Sequence, residues 1–125
     1  MRNKNILIFG STGFIGRSLV KRLLSQGNRL ICPTRNPSRV KRNILSGDIG
    51  QIEVVDFELH NLSNLEELIK KSDYVINLVG LLFEKSNMSF ELAHFLLPKK
   101  ISVLTEKYNK PFLHISSLGS TFNTK

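Results

Sequence analysis

The apolar residues of this chain fall into short continuous runs that are separated by stretches with amphipathic spacing. Short apolar runs bounded by turn residues are typical of buried strands, and apolar residues three or four positions apart are typical of helices. Five strands are predicted on this basis, at residues 6–9, 29–34, 51–57, 74–79 and 111–115. Helices are predicted between them, at residues 13–26, 37–45, 63–71 and 90–108, with a loop at 81–89.

Particular residues mark where these elements begin and end. Gly27 is a suitable C-terminal cap for the first helix, because glycine adopts a left-handed conformation without strain. Pro33 has no N–H to donate and is expected to mark the end of the second strand. Ser63 and Glu66 have the spacing of a capping box, and Pro98 predicts a kink or a break of the long helix just before it.

The alternation of strands and helices predicts the fold class, an α/β protein with a doubly wound parallel sheet of five strands. Connections that contain helices join parallel strands in a right-handed sense. The ligand cleft of such a sheet lies at the carboxyl ends of the strands where the strand order reverses, here strands 1 and 4. We expect residues 1–119 to form one domain and residues 120–125, which are polar and aperiodic, to form a flexible tail.

Three glycines follow the first strand at positions 10, 13 and 16, where the first helix begins. Gly10 permits a tight turn, Gly13 leaves the backbone open to a pyrophosphate, and Gly16 lets the helix pack closely on the sheet. The helix N-terminus offers free N–H groups to phosphates, and Ser11 and Thr12 add hydroxyl donors. The pattern therefore predicts a dinucleotide site, and its alternative is a tight turn that binds nothing.

The chain resembles the extended or atypical branch of the short-chain dehydrogenase/reductase superfamily at residues 10–16, which read GSTGFIG. It resembles bacterial relatives of the nucleotide-binding accessory subunit of respiratory complex I at residues 75–82, VINLVGLL, and at residues 112–119, FLHISSLG. Members of that family are much longer. The resemblance therefore implies a Rossmann-like fold that is truncated on its C-terminal side, with this chain as the N-terminal half.

The resemblance also implies a set of cofactor-binding residues. The family has an acid just past the third strand that accepts a hydrogen bond from the adenine amine. Glu58 holds this place, with Asp56 as a poorer substitute, and the alternative is a surface acid. Asn77 and Gly80 stand where, in the superfamily, the backbone at the end of the fourth strand passes beside the ribose and nicotinamide. Asn77 could equally serve only to tie strands together. The implied set is Gly10, Ser11, Thr12, Gly13, Phe14, Ile15, Gly16, Arg35, Glu58, Leu59, Asn77, Val79 and Gly80.

Arg35 decides which dinucleotide is expected. NAD-specific members of such folds place an acid about 20 residues past the glycines, where it accepts hydrogen bonds from the ribose hydroxyls. No Asp or Glu lies near that place here, and Arg35 offers a planar cation suited to a 2′-phosphate, with help from Arg17 and Arg39. We therefore expect NADP(H) to be preferred over NAD(H), and the alternative for Arg35 is a solvated loop charge.

Ser116 and Ser117 end the fifth strand at the place of the superfamily's active-site serine, which makes them the candidate catalytic residues. In active members this serine works with a Tyr-x-x-x-Lys pair, whose tyrosine is the general acid. Neither tyrosine of this chain has a lysine four residues later, so the serines form an incomplete or vestigial site. The histidines lack metal-ligand spacing, so no metal site is expected, and His114 is expected to be packed in the fifth strand.

The chain has 18 Lys and Arg against 10 Asp and Glu, a net charge of +8. Such an excess suits an anionic partner, whether a nucleotide, a nucleic acid or an acidic membrane surface, and its alternative is a solvated surface. No nucleic-acid motif accompanies the charge, so nucleic-acid binding is not expected. Cys32 is the only cysteine, and neither a transmembrane run nor a signal peptide is visible, which favours a cytoplasmic location.

Two functions follow from these observations. The first is a module that binds NAD(P)(H) in a structural or regulatory role, for which the resemblance implies docking on a respiratory membrane complex, with a location in the cytoplasm or peripheral at the inner membrane. The second is a fragment of an active NADP-dependent reductase or epimerase whose Tyr-x-x-x-Lys half is missing. In either case the sheet edge beyond the fifth strand is expected to be uncovered and open to self-association.

Overall fold

The structure is a computed structural model that describes residues 3–11, 14–34, 51–57, 62–78 and 96–115. These residues contain five strands and three helices. The predicted helix at 37–45, the loop at 81–89, the start of the long helix and the tail at 120–125 lie outside the described residues. The elements are β1 (Asn5–Phe9), α1 (Phe14–Ser25), β2 (Arg29–Thr34), β3 (Ile52–Asp56), α2 (Leu65–Lys70), β4 (Tyr74–Asn77), α3 (Leu97–Lys107) and β5 (Phe112–His114).

The five strands form one parallel sheet in the order β3-β2-β1-β4-β5. This order confirms the predicted doubly wound fold. The chain adds strands on one side of β1 and then returns to add β4 on the other side, so the order reverses between β1 and β4. A crevice at the carboxyl ends of these two strands is where such sheets bind ligands.

Strand β1 lies at the centre of the sheet, and its alternate side chains fill two separate core layers. Leu7 and Phe9 pack on one face with buried residues of α2 and α3. Ile6 and Ile8 pack on the other face with Val20 and Leu23 of α1. Because both faces are covered, β1 is a continuous apolar run rather than an alternating one.

The ends of the elements follow the predicted signals closely. Gly27 adopts a φ of 84° after α1, as expected for a C-terminal cap. Strand β2 continues through Pro33 to Thr34, where it pairs with β3. The proline is tolerated because β2 pairs with β1 only as far as Ile31, so the missing N–H falls beyond that ladder. Within the described residues α3 begins at Leu97, one residue before Pro98, and the kink or break predicted before Pro98 lies partly outside those residues.

Helix α2 begins one residue later than the capping box predicts, with Asn64 at its N-cap. The Glu66 carboxylate accepts hydrogen bonds from the Tyr108 hydroxyl and from Lys107 Nζ, at 3.1 Å for the lysine. These bonds, that of Tyr108 foremost, lower the pKa of Glu66, and the same carboxylate raises the pKa of Lys107. The exposed contact links α2 to the C-terminal end of α3.

Asn28 is a fully buried polar residue that joins three elements. Its Nδ2 donates to the carbonyl of Leu23 at 3.0 Å, and its Oδ1 accepts from the backbone N–H of Lys4 at 3.0 Å. Its own carbonyl accepts from Gln51 Nε2 at 2.9 Å. The end of α1, the start of β1 and the approach to β3 are therefore held together at the amino edge of the sheet.

Replacing Asn28 with alanine is expected to lower the free energy of unfolding by about 1–3 kcal/mol, because this buried side chain loses its two hydrogen bonds, with the Leu23 carbonyl and the Lys4 N–H. The measurement is urea unfolding followed by circular dichroism. Asn64→Ala is the matched control, since the Asn64 side chain makes no cap hydrogen bond, and it is expected to change stability by less than about 0.5 kcal/mol. Equal losses in the two variants would contradict the role given to Asn28.

Candidate functional site

The turn after β1 has a conformation that requires glycine. Gly10 follows Phe9 directly and adopts a φ of 87°, which a residue with a Cβ adopts only under strain. Helix α1 begins four residues later, at Phe14. The chain therefore passes from the central strand to the helix N-terminus through a short turn at the carboxyl edge of the sheet.

Gly16 lies where α1 touches the backbone of this turn. A Cβ at this position would lie 2.4 Å from the Gly10 carbonyl oxygen and 2.9 Å from both Cα and the carbonyl carbon of Ser11. All three are backbone atoms, so no flexible side chain can move away to make room. The close helix–sheet packing that the sequence predicts for Gly16 is present.

Ser11 is buried in the same turn, with 1% of its surface exposed. Its hydroxyl has no hydrogen-bond partner of good geometry among the described residues. Burial raises the pKa of the neighbouring Cys32 thiol to about 11, and the Ser11 hydroxyl opposes this shift by a smaller amount. Cys32 is therefore a protonated core residue at neutral pH, and the buried Ser11 hydroxyl lies beside it.

Asn77 brings β4 to the same edge of the sheet. It is fully buried and is aligned with Phe9 of β1, and the next residue, Leu78, donates its N–H to the Phe9 carbonyl at 2.8 Å. The structure thus places Gly10, Ser11 and Asn77 together at the carboxyl ends of β1 and β4, where the predicted cleft lies.

The Asn77 side chain ties β4 to β5. Its Nδ2 lies 3.1 Å from Nδ1 of His114, its cross-strand neighbour. This contact ties β4 to β5, and the role of Asn77 beside a ribose stays a prediction. The expectation that His114 is packed is wrong, because β5 is the outermost strand and His114 is exposed.

The sequence did not predict the contact between two aromatic rings, Phe9 and Phe57, near the carboxyl ends of β1 and β3. Phe57, which follows β3, is 6% exposed, and its ring centroid lies 5.4 Å from that of Phe9. The alternation of Val55 and Phe57 on one face of β3 was the available signal. Asp56, the substitute for the expected adenine contact, is exposed at the end of β3.

The remaining candidate residues are only partly covered by the structure. Phe14 and Ile15 are helical residues of α1, and their side chains are not described. The candidates outside the described residues are Thr12, Gly13, Arg35, Glu58, Leu59, Val79, Gly80, Ser116 and Ser117. In the part of the chain that the structure describes, no three His, Cys, Asp or Glu side chains form a group that could hold a metal ion.

The length and apolar character of the described helices can be compared with those of a helix that spans a bilayer. Among residues 3–11, 14–34, 51–57, 62–78 and 96–115, no helix is both long enough and apolar enough to cross a bilayer.

Comparison with known proteins identifies similar chains. Residues 6–122 match the family model described as the NAD dependent epimerase/dehydratase family. The chain is 34% identical over 119 residues to the mitochondrial NADH-ubiquinone oxidoreductase 40 kDa subunit of Neurospora crassa, covering 94% of this chain and 32% of that protein. It is 30% identical over 120 residues to the mitochondrial NADH dehydrogenase [ubiquinone] 1 alpha subcomplex subunit 9 of Arabidopsis thaliana, covering 94% and 30%. The chain thus spans about a third of the length of these relatives.

Solved structures share the fold at lower identity. Uronate dehydrogenase from Agrobacterium tumefaciens matches with a TM-score of 0.70 and 18% identity, over 91% of this chain and 41% of that one. The Bordetella bronchiseptica enzyme WbmF, solved in complex with NAD+, matches with a TM-score of 0.70 and 21% identity, over 96% and 40%. These matches establish the Rossmann-like fold of this chain.

Replacing Gly16 with alanine is expected to lower the free energy of unfolding by about 1–3 kcal/mol, because the new Cβ collides with the turn. At an ordinary position inside a helix, replacing glycine with alanine raises the free energy of unfolding by about 1 kcal/mol. A loss of stability would therefore indicate the close backbone contact, and a gain would indicate its absence. Urea unfolding measures it, with Ser18→Ala at an exposed position of α1 as the control. A gain of stability in the Gly16 variant would show that the close contact is absent.

Proposed function

The chain belongs to the NAD dependent epimerase/dehydratase family, and from that membership we propose that it is a dinucleotide-binding module of the short-chain reductase type. Residues 1–119 form the module in this proposal. It binds NAD(P)(H) at the carboxyl ends of β1 and β4 without carrying out catalysis, in a structural or regulatory role.

One observation carries the proposal, the contact between Gly16 and the backbone of the turn at Gly10 and Ser11. It holds the N-terminus of α1 against the end of the central strand, at the point where the strand order reverses. Helix N-terminal N–H groups and the helix dipole favour phosphate at such a place. The Ser11 hydroxyl, buried in the same turn, is a further donor in this proposal.

The absence of catalysis is supported by where the two tyrosines lie. Tyr74 is the first residue of β4, and Tyr108 lies between α3 and the start of β5, where it bonds Glu66. Both positions are at the amino edge of the parallel sheet, whereas Ser11 and Asn77 are at the carboxyl edge. A general acid must lie within hydrogen-bond reach of its substrate, which neither tyrosine does. The alternative, a fragment of an active reductase or epimerase, would need its general acid from residues outside this sequence.

The proposal also specifies that NADP(H) is preferred over NAD(H). Strand β2 ends at Thr34, and Arg35 follows where NAD-specific proteins carry an acid. A guanidinium can form two parallel hydrogen bonds with a 2′-phosphate. The family description names NAD, and WbmF was solved in complex with NAD+. The proposed preference for NADP(H) therefore rests on this chain's own sequence.

The relatives also suggest where the module works. Proteins similar to this chain are subunits of mitochondrial NADH–ubiquinone oxidoreductase, which supports a respiratory membrane complex as the partner. The location is then cytoplasmic or peripheral at the inner membrane. Strand β5 is a sheet edge with Leu113 52% exposed, which supports self-association as a second mode of assembly.

Calorimetric titration with NADPH and NADH tests the binding itself. Micromolar or tighter binding of either dinucleotide is expected, and Gly13→Val is expected to weaken it at least about tenfold, or about 1.4 kcal/mol, because a side chain would obstruct the pyrophosphate. Ser18→Val, on the exposed side of α1, is the matched control, and circular dichroism checks that both variants fold. Undiminished affinity in the Gly13 variant would overturn the site.

The cofactor preference is tested by Arg35→Ala. This change is expected to weaken NADPH binding about tenfold and to leave NADH binding nearly unchanged, since only NADPH carries the 2′-phosphate. The control is Arg29→Ala, an exposed arginine at the opposite end of β2. NADH affinity equal to or higher than NADPH affinity in the unmodified protein would contradict the preference.

A further inference from the structure

Large apolar side chains are exposed on the outer side of α3. Leu96, just before the helix, is 51% exposed and Val103 is 57% exposed. They are seven residues apart, which is about two helical turns, so they lie on the same side. The opposite side of the helix is buried in the core through Leu97, Ile101 and Thr105.

Exposed lysines surround these two apolar residues. Lys99 and Lys100 lie between them in sequence, and Lys107 follows Val103 by one turn. The helical spacing places the five residues on one side of α3. We call this surface the α3 stripe, defined as Leu96, Lys99, Lys100, Val103 and Lys107.

Among the residues that the structure describes, the positive charge of the α3 stripe is mostly uncompensated. Lys107 is paired with Glu66 at 3.1 Å, whereas Lys99 and Lys100 form no ion pair within the described part of the chain. No acidic residue occurs from 96 to 105 in the sequence, and Glu106 lies at the border of the stripe. A partner with negative charges and a deformable apolar region would therefore complement the lysines and the aliphatic side chains of the α3 stripe.

The composition of the stripe distinguishes between partners. In a symmetric contact with a second copy, Lys99 and Lys100 would face other lysines, which is unfavourable. The centres of protein–protein interfaces are depleted of lysine and enriched in arginine and aromatic residues, and the stripe has neither. Lysines on flexible stems around aliphatic side chains suit a bilayer, because the stems extend to lipid phosphates while the aliphatic groups enter the headgroup region.

We propose that the α3 stripe is a docking surface for an anionic lipid bilayer. This surface identifies residues that could hold the protein at the proposed peripheral membrane location. The docking proposal does not depend on dinucleotide binding. Helix α1 packs on the opposite face of the sheet, so the basic side chains of α1 would point away from a membrane bound at the stripe.

The test is co-sedimentation of the full chain with vesicles of phosphatidylcholine alone and with about one third phosphatidylglycerol. Binding only to the anionic vesicles is expected, and it should weaken as salt is raised. The double variant Lys99→Glu and Lys100→Glu is expected to lower the partition coefficient at least about tenfold. Val103→Ser, which leaves the charge unchanged, is expected to lower it about threefold.

The matched control is the double variant Lys21→Glu and Arg22→Glu, which makes the same change of charge on exposed residues of α1. It is expected to lose much less binding than the stripe variant. Equal losses in the two double variants, or no binding of the unmodified chain to anionic vesicles, would overturn the proposal. A dimer seen by sedimentation and dissociated by Val103→Ser would also overturn it, in favour of a second copy.

Dinucleotide titration separates this proposal from the previous one. The stripe variant is expected to bind NADPH as the unmodified chain does, because the stripe lies outside the cleft. Loss of vesicle binding with unchanged NADPH affinity supports the docking surface. A chain that binds vesicles through the stripe but binds no dinucleotide would refute the proposed function alone.

Discussion

The backbone of α1 at Gly16 lies against the backbone of the turn after β1, so closely that a Cβ there would come within 2.4 Å of the Gly10 carbonyl oxygen. This contact sets the position of the first helix relative to the central strand. Because β1 is buried on both faces and paired on both sides, the position of α1 is fixed relative to the whole sheet. The buried Ser11 hydroxyl and the N-terminus of α1 are held at the carboxyl edge as a result.

The two edges of the sheet have different roles in this chain. The amino edge carries stabilising polar contacts, namely the buried Asn28 and the bonds of Glu66 with Lys107 and Tyr108. The carboxyl edge carries the Gly10 turn and the buried Ser11. Tyr74 and Tyr108 both lie at the amino edge, away from the carboxyl ends of β1 and β4.

The outer strand β5 shows how an edge changes the role of a residue. His114 alternates with apolar neighbours, yet it is exposed and contacts Asn77 across the strand pair. Leu113 is likewise half exposed on the last strand. The chain spans about a third of the length of its curated relatives, and its basic, partly apolar α3 stripe lies on a different surface from both the β5 edge and the cleft.

The sequence predicted the strands, their parallel pairing and the turn at Gly10, because apolar runs, helical spacing and glycine positions are local signals. It also determined that no Tyr-x-x-x-Lys pair is present. The three-dimensional arrangement was needed to show that Asn77 contacts His114, that Ser11 is buried beside Cys32, and that Leu96 and Val103 are exposed. These features depend on strand neighbours and on which helix face is covered, and residues far apart in the chain set both of them.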